Sequence, residues 1–289
     1  MCKECGCGLG GTPQILGGHG NAEAATSATS ADSAPGPGPG HEHQAYPAHE
    51  HPAHPHSHAS GDPHTDAAHT VAVQRSLLEK NQRLAERNRG FFRAKGWLVL
   101  NIMSSPGAGK TTLIEQTARG LRGRLRCGVV VGDLATDLDA ARLRAAGVPV
   151  VQVATGTVCH LDADMVRRAV AQLNTDGLDL LIIENVGNLV CPADFDLGED
   201  LRVVLLSVTE GEDKPLKYPP LFHSAHVALI TKCDLAEAAQ FNRAAALAHL
   251  QRVSHHARIF EVSARTGAGM SAWLEFLQHE HRRIRNQPL

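Results

Sequence analysis

Residues 97–114 read WLVLNIMSSPGAGKTTLI: an apolar run of strand length, a loop carrying Gly107 and Gly109, and a stretch of helical character opening at Lys110. Strand, glycine loop and helix in that order are the context a phosphate-binding loop requires. Glycines let successive backbone N–H groups turn inward around phosphate oxygens, and the start of the next helix adds the positive end of its dipole. On this reading Gly107, Ala108 and Gly109 form the cradle and Lys110 reaches the β and γ phosphates. Thr111, followed by Thr112, offers its hydroxyl to Mg²⁺, which bridges the phosphates. The general pattern opens with a glycine, and Ser104 stands in that place, so the entry to the loop is atypical.

Working outward, further apolar runs follow: CGVVV from Cys127, VPVVQVA from Val148, LDLLIIENV from Leu178, LRVVLLSV from Leu201, HVALITK from His226 and RIFEVSA from Arg258. Unbroken apolar runs suit parallel strands buried on both faces. Helical stretches lie between them at Thr111 to Gly120, Leu161 to Leu173, Leu235 to Val253 and Met270 to Ile284. The alternation predicts an α/β fold, a doubly wound and mostly parallel sheet, over residues 97–289.

Upstream the pattern changes. Residues 71–96 place Val73, Leu77 and Leu84 at near-helical spacing, which predicts one amphipathic helix leading into the domain. Residues 1–70 are dominated by Ala, Gly, Ser, Thr and Pro, and no Ile, Leu, Val or Phe occurs between Gly17 and Thr70. Such a segment buries too little surface to offset its ordering entropy, so residues 11–70 are expected to form a disordered tail behind a short motif at residues 1–10.

The 289 residues suffice for one ordinary α/β domain plus extra segments. A formal charge of −2, from 28 basic and 30 acidic side chains, provides no global field to recruit nucleic acid or anionic lipid. The opening MCKECGCGLGG lacks the apolar run of a signal peptide, and no stretch approaches the ~20 apolar residues that span a bilayer. The expected location is the cytoplasm, where seven cysteines serve as thiols or metal ligands rather than disulfides.

Two strand ends carry a base-recognition signal. TKCD closes the run HVALITK and SARTG follows RIFEV, both at C-terminal strand ends, where doubly wound sheets bind ligands. TKCD is similar to the N-K-x-D guanine motif of GTPases, with Thr231 in place of Asn. Asp234 would accept from the guanine N1 and N2 donors, which adenine lacks as a pair. Lys232 would pack its stem along the base, and Ser263 and Ala264 would form the loop whose backbone reads the guanine O6. Asp133 ends CGVVVGD and Glu184 ends LLIIE, so buried strands deliver both carboxylates to the phosphate end, where they suit Mg²⁺ directly or through water. With Lys110 these are the candidate catalytic groups. Asp137 and Asp139 could position water, or simply solvate a helix N-terminus. No glutamine stands ready to orient the attacking water, so slow intrinsic hydrolysis is expected.

Three further clusters have the chemistry of metal ligands. Cys2, Cys5 and Cys7 form CKECGC, a soft thiolate set suited to Ni²⁺, Zn²⁺ or Cu(I), with a structural zinc knot as the alternative. His41, His43, His49, His51, His54, His56, His58, His64 and His69 crowd a Pro-rich tract that reads as an ion reservoir or as a low-complexity solubility tail. Within the domain, Cys159 and His160 in ATGTVCHLDA and Cys191 in ENVGNLVCP lie on loops that neighbouring strands could bring together. One chain would then leave a tetrahedral or square-planar ion short of a ligand, to be supplied by water or a symmetry-related copy. Cys127 and Cys233 read as buried small apolar residues.

Taken together, CKECGC, the His-rich insert, SSPGAGKTTL, GDLATDLDA, TGTVCHLDA, ENVGNLVCP, TKCD and SARTG resemble the hydrogenase nickel-incorporation GTPases, the HypB family of P-loop GTPases, over essentially the whole chain. Ser104 fits as well, since the family's loop commonly begins that way. The resemblance implies GTP-dependent homodimerisation, a tight N-terminal nickel site, and a weaker nickel or zinc site at Cys159, His160 and Cys191. It also implies nickel delivery to the hydrogenase large subunit with a zinc-bearing partner chaperone. The alternatives are a nickel store with a regulatory GTPase, a urease-type nickel-insertion GTPase, and a metabolic kinase with a metal-binding tag.

Overall fold

Seven apolar runs become seven parallel strands of one sheet. The computed structural model describes the backbone of residues 14–16, 63–133 and 137–286, and the side chains of all of these except 16 and 63–74. The strands are β1 (Gln14–Leu16), β2 (Leu98–Met103), β3 (Cys127–Asp133), β4 (Val150–Ala154), β5 (Leu180–Glu184), β6 (Leu201–Ser207), β7 (Val227–Thr231) and β8 (Arg258–Glu261). The helices are α1 (Pro63–Ala94), α2 (Lys110–Leu121), α3 (Leu138–Ala145), α4 (Ala163–Val170), α5 (Lys214–Lys217), α6 (Pro219–His223), α7 (Arg243–Val253) and α8 (Met270–Arg285). Strand order is β1-β4-β3-β5-β2-β6-β7-β8.

Strands β2 and β5 are buried along their whole length, as a sheet with helices on both faces demands. One apolar cluster joins alternate residues of β2, β3, β5, β6 and β7 to α2 and α8, and a second joins the opposite face of β3, β4 and β5 to α4 and Phe92. Trp273 of α8 is fully buried, stacks on Phe276 with centroids 5.8 Å apart, and donates from Nε1 to Thr117 Oγ1 of α2 at 3.0 Å. Trp273→Ala is expected to cost about 3–5 kcal/mol, read as a lower urea midpoint with unchanged slope. A cost below about 1 kcal/mol, ordinary for a surface site, would contradict this packing.

Several elements depart from the expected boundaries. Residues 14–16, placed in the tail by composition, form the edge strand β1, antiparallel to β4 with Ile15 opposite Val153. Three residues are too few to show a period, and their pairing uses backbone groups that any sequence carries. Helix α1 begins at Pro63 rather than Val71, with proline in the first position, where its missing N–H has no intrahelical partner to lose. Ala67 and Ala68 favour helix without contributing to the hydrophobic spacing that set the expectation. Helix α7 begins at Arg243, because Gln240 takes φ 50° and Asn242 caps the helix by accepting from Ala245 N. The chain divides into two units, residues 1–18 with 73–289, and residues 19–72. The expected disorder, the CKECGC motif and the first seven tail histidines lie outside the described residues. Among the described residues no helix is long and apolar enough to cross a membrane.

Candidate functional site

Strand β2 delivers Ser104–Gly109 to the C-terminal edge of the sheet, and α2 leaves from there. Gly107 and Gly109 adopt φ of 76° and 97°, a region in which a β-carbon is strained. Lys110 is buried, and its Nζ donates to Ser104 Oγ at 3.2 Å, so the atypical serine braces the lysine. Burial pushes the ammonium down, opposed by the charges of Glu184, Asp139, Glu210 and Asp133.

Thr111 Oγ1 donates to Glu184 Oε1 at 2.8 Å. The other carboxylate oxygen of Glu184 is buried without a hydrogen-bond partner among the described residues. Burial pushes this carboxyl up to about 7, while Lys110 and the Thr111 hydroxyl pull it down. Asp133 ends β3 on the same edge, pairing in register with Ala154. The three supply hard oxygen donors of the kind Mg²⁺ takes. Asp137 instead pairs with Arg144 at 2.8 Å, as a solvated helix start would.

Beside the loop lies a cavity of about 470 Å³ whose lining includes Gly109, Thr112, Lys232, Asp234 and Ala264. Lys232 takes the left-handed conformation (φ 58°) and donates from Nζ to Gly107 O at 2.7 Å, tying the two loops together. Thr231 Oγ1 donates to Ala108 O at 2.9 Å, so the threonine in the asparagine position also braces the phosphate loop. Asp234 accepts from Ser263 Oγ at 2.6 Å and from Arg265 Nε at 3.0 Å. The serine hydroxyl and then the guanidinium hold its carboxyl below the usual range. A carboxylate aimed in this way suits a ligand edge that presents two adjacent N–H donors.

The two cysteine loops, one after β4 and one after β5, meet. Cys159 Sγ and Cys191 Sγ lie 2.7 Å apart, and these with a His160 nitrogen are all within 4.8 Å of one another. The His160 ring stacks on Phe195 with centroids 3.8 Å apart, and its Nδ1 is buried without a hydrogen-bond partner among the described residues. Burial pushes the imidazole down, which keeps it neutral and able to ligate. Two soft thiols and an imidazole suit nickel or zinc, and a fourth position is left over. Cys127 is buried in the core, its thiol pushed up to about 12, so it behaves as a small apolar residue.

The structure adds residues that motif spacing does not single out. Glu210, just beyond β6, accepts from Ser105 Oγ of the phosphate loop at 2.5 Å. Its position at a strand's C-terminal end was the available signal. Helix α1 also reaches the segments next to the cysteine loops. Buried Asn81 donates to Asp196 O and accepts from Ala163 N, Asn88 donates to Ala163 O and Leu197 O, and Arg89 pairs with Asp196. Polar residues on the buried stripe of a helix are visible in sequence, but not what they bind.

Residues 98–261 match the family described as CobW/HypB/UreG, nucleotide-binding domain. Hydrogenase maturation factor HypB of Azotobacter chroococcum is 52% identical over 212 residues, spanning 73% of this chain and 69% of that protein. The Escherichia coli K12 protein of the same name is 50% identical over 206 residues, 71% of each chain. Among solved structures, HypB from Helicobacter pylori in complex with nickel superimposes with a TM-score of 0.68 at 39% identity, covering 73% of this chain and 99% of that one.

Proposed function

The chain belongs to the HypB group of the CobW/HypB/UreG family, and from that membership we propose that it hydrolyses GTP to govern the holding and release of nickel during [NiFe] hydrogenase maturation. The observation that carries this reading is adjacency. Cys159 and His160 lie on the loop that leaves β4, and Cys191 lies on the loop that leaves β5, only seven residues beyond Glu184, which touches Thr111.

The N–H groups of residues 107–112 and the Lys110 ammonium hold the β and γ phosphates and counter the charge that builds up during transfer to water. The unpartnered Glu184 oxygen beside the Thr111 hydroxyl fits a hard divalent cation, so Thr111 and Glu184, with Asp133, would hold Mg²⁺. Held there, the ion would supply positive charge to offset that of the phosphates. Asp234 accepts from guanine N1–H and the 2-amino group, Lys232 covers the base, and the loop at Ser263 and Ala264 takes the guanine O6. Nickel is cargo: the Cys159 and Cys191 thiolates and the His160 imidazole hold it, and a second copy or water completes the shell. Cys2, Cys5 and Cys7 hold nickel tightly at the N-terminus, and the tail histidines serve as a multi-ion reservoir. GTP favours the homodimer, and transfer proceeds in the cytoplasm through a zinc-bearing partner chaperone to the hydrogenase large subunit.

The test uses the full chain with Cys2, Cys5 and Cys7 replaced by serine, so that thiolate-to-nickel absorption reports the domain site. Adding Cys191→Ser is expected to abolish that absorption and weaken nickel binding by about 100-fold, since losing even a supporting group costs 10- to 100-fold. Guanine nucleotide affinity should stay unchanged. Unaltered nickel binding would remove the domain site from the account.

A further inference from the structure

Two turns meet at the N-terminal ends of β7 and β8, the edge of the sheet opposite the phosphate and cysteine loops. His223 closes α6, and His255 and His256 fill the turn between α7 and β8. All three side chains are exposed, and the His256 ring meets the other two edge-on, with centroids 5.5 Å from His223 and 5.4 Å from His255. The backbone beneath them is fixed. Buried Ser254 donates from Oγ to Phe222 O at 2.5 Å, which locks the end of α7 to the end of α6, and Ala257 N donates to Ser254 O at 2.9 Å. His223 Nδ1 lies 3.1 Å from Val253 O. A carbonyl only accepts, so Nδ1 carries the proton and Nε2 keeps its lone pair, the arrangement a metal-ligating histidine takes. His226 on the same edge has the opposite tautomer, because its Nδ1 accepts from Arg202 N at 2.9 Å, and it is no ligand.

We propose that His223, His255 and His256 form a zinc-binding site separate from the nucleotide and cysteine loops, with water in the fourth position. The ring spacing selects the ion. With a Zn–N bond of about 2.0–2.1 Å, two imidazoles on one tetrahedral ion have centroids about 5.2 Å apart. At the right angles of a square-planar or octahedral ion the spacing falls to about 4.6 Å. The separations here match the tetrahedral case. Among the described residues only Cys159, His160 and Cys191 already have three ligand atoms within 4.8 Å of one another. The imidazoles of the new site therefore close on the ion by turning about Cβ–Cγ, a soft torsion that barely moves their centroids. The turn also lies just beyond the C-terminal end of the 11-residue α7, where the helix dipole favours a cation. No residue of the sites described above takes part, so the proposal stands apart from their reading.

The experiment maps carbethoxylation of individual histidines in the full chain by peptide mass spectrometry, with free Zn²⁺ set by a metal buffer so that the tail histidines do not deplete it. Diethyl pyrocarbonate acylates an imidazole nitrogen that still has its lone pair, and ligation blocks the reaction. At a free concentration about ten times the midpoint, Zn²⁺ should slow modification of His223, His255 and His256 about 10-fold with one shared midpoint, and leave exposed His279 within about 2-fold. His256→Asn, an exposed substitution that leaves the fold intact, should raise the midpoint at His223 at least about 10-fold. Cys159→Ser with Cys191→Ser should not move it, and a midpoint that shifted with them would overturn the separateness of the site. Absent protection, unequal midpoints, or protection of His223 that survives His256→Asn would reduce the cluster to solvent-facing rings and overturn the proposal. Protection by Ni²⁺ at a lower free concentration than by Zn²⁺ would overturn the tetrahedral assignment.

Discussion

Lys110→Ala is expected to lower GTP turnover by roughly 10²–10³-fold, the loss usual when one preorganised charge-stabilising group is removed. Burial makes the effect large. The ammonium is enclosed between the phosphate loop and the carboxylates of Glu184, Asp139, Glu210 and Asp133, and burial lowers its affinity for its own proton. Opposed charges in such surroundings interact far more strongly than in water. The Ser104 hydroxyl at 3.2 Å fixes the lysine before any phosphate arrives, so little is spent on organising it. The measurement is steady-state phosphate release at saturating GTP, with nucleotide binding assayed separately. Turnover within a few-fold of the parent would refute the assigned role. The same variant separates delivery from storage. If the tail's nickel capacity were the whole function, hydrogenase maturation at low nickel would survive Lys110→Ala, whereas GTP-governed delivery predicts that it is lost and that added nickel restores it only in part.

Asp234→Ala should erase the preference for guanine over adenine. Its carboxylate is held by Ser263 at 2.6 Å and Arg265 at 3.0 Å, so it is aimed before the base enters. Two charge-assisted hydrogen bonds at about 1.5–3 kcal/mol each correspond to a loss of roughly 10²–10⁴-fold in GDP affinity, with ADP affinity little changed. The same carboxylate would reject adenine, which presents a ring-nitrogen acceptor and no 2-amino donor to it. Competition between GDP and ADP for a fluorescent nucleotide measures this directly. An unchanged GDP-to-ADP ratio would favour an adenine-nucleotide enzyme carrying a metal-binding tag.

Much of this site was legible because it depends on chain-local chemistry. Gly107, Gly109, Lys110 and Thr111 act within one turn and follow a strand, so their order already implies the cradle. Asp133, Glu184, Asp234 and Ser263 sit at or just beyond C-terminal ends of apolar runs, and parallel topology brings such ends to one edge of the sheet. Glu210 shares that edge but no short motif marks it, and it was found only as the hydrogen-bond partner of Ser105; Arg265 lies within SARTG, but its pairing with Asp234 is seen only in the structure. Strand β1 and the early start of α1 escaped detection because one is too short for a period and the other extends on helix propensity without apolar spacing.

By itself the sequence determined the strand and helix alternation, the phosphate loop and the residues proposed to read guanine and to hold metal, since each is written in residue type and near-neighbour spacing. Only the tertiary structure decided that Cys159 and His160 meet Cys191 and that Phe195 stacks on the imidazole. Those relations join residues far apart in the chain through single hydrogen bonds and ring contacts. Their existence depends on the register and packing of whole strands, which no local pattern of side chains encodes.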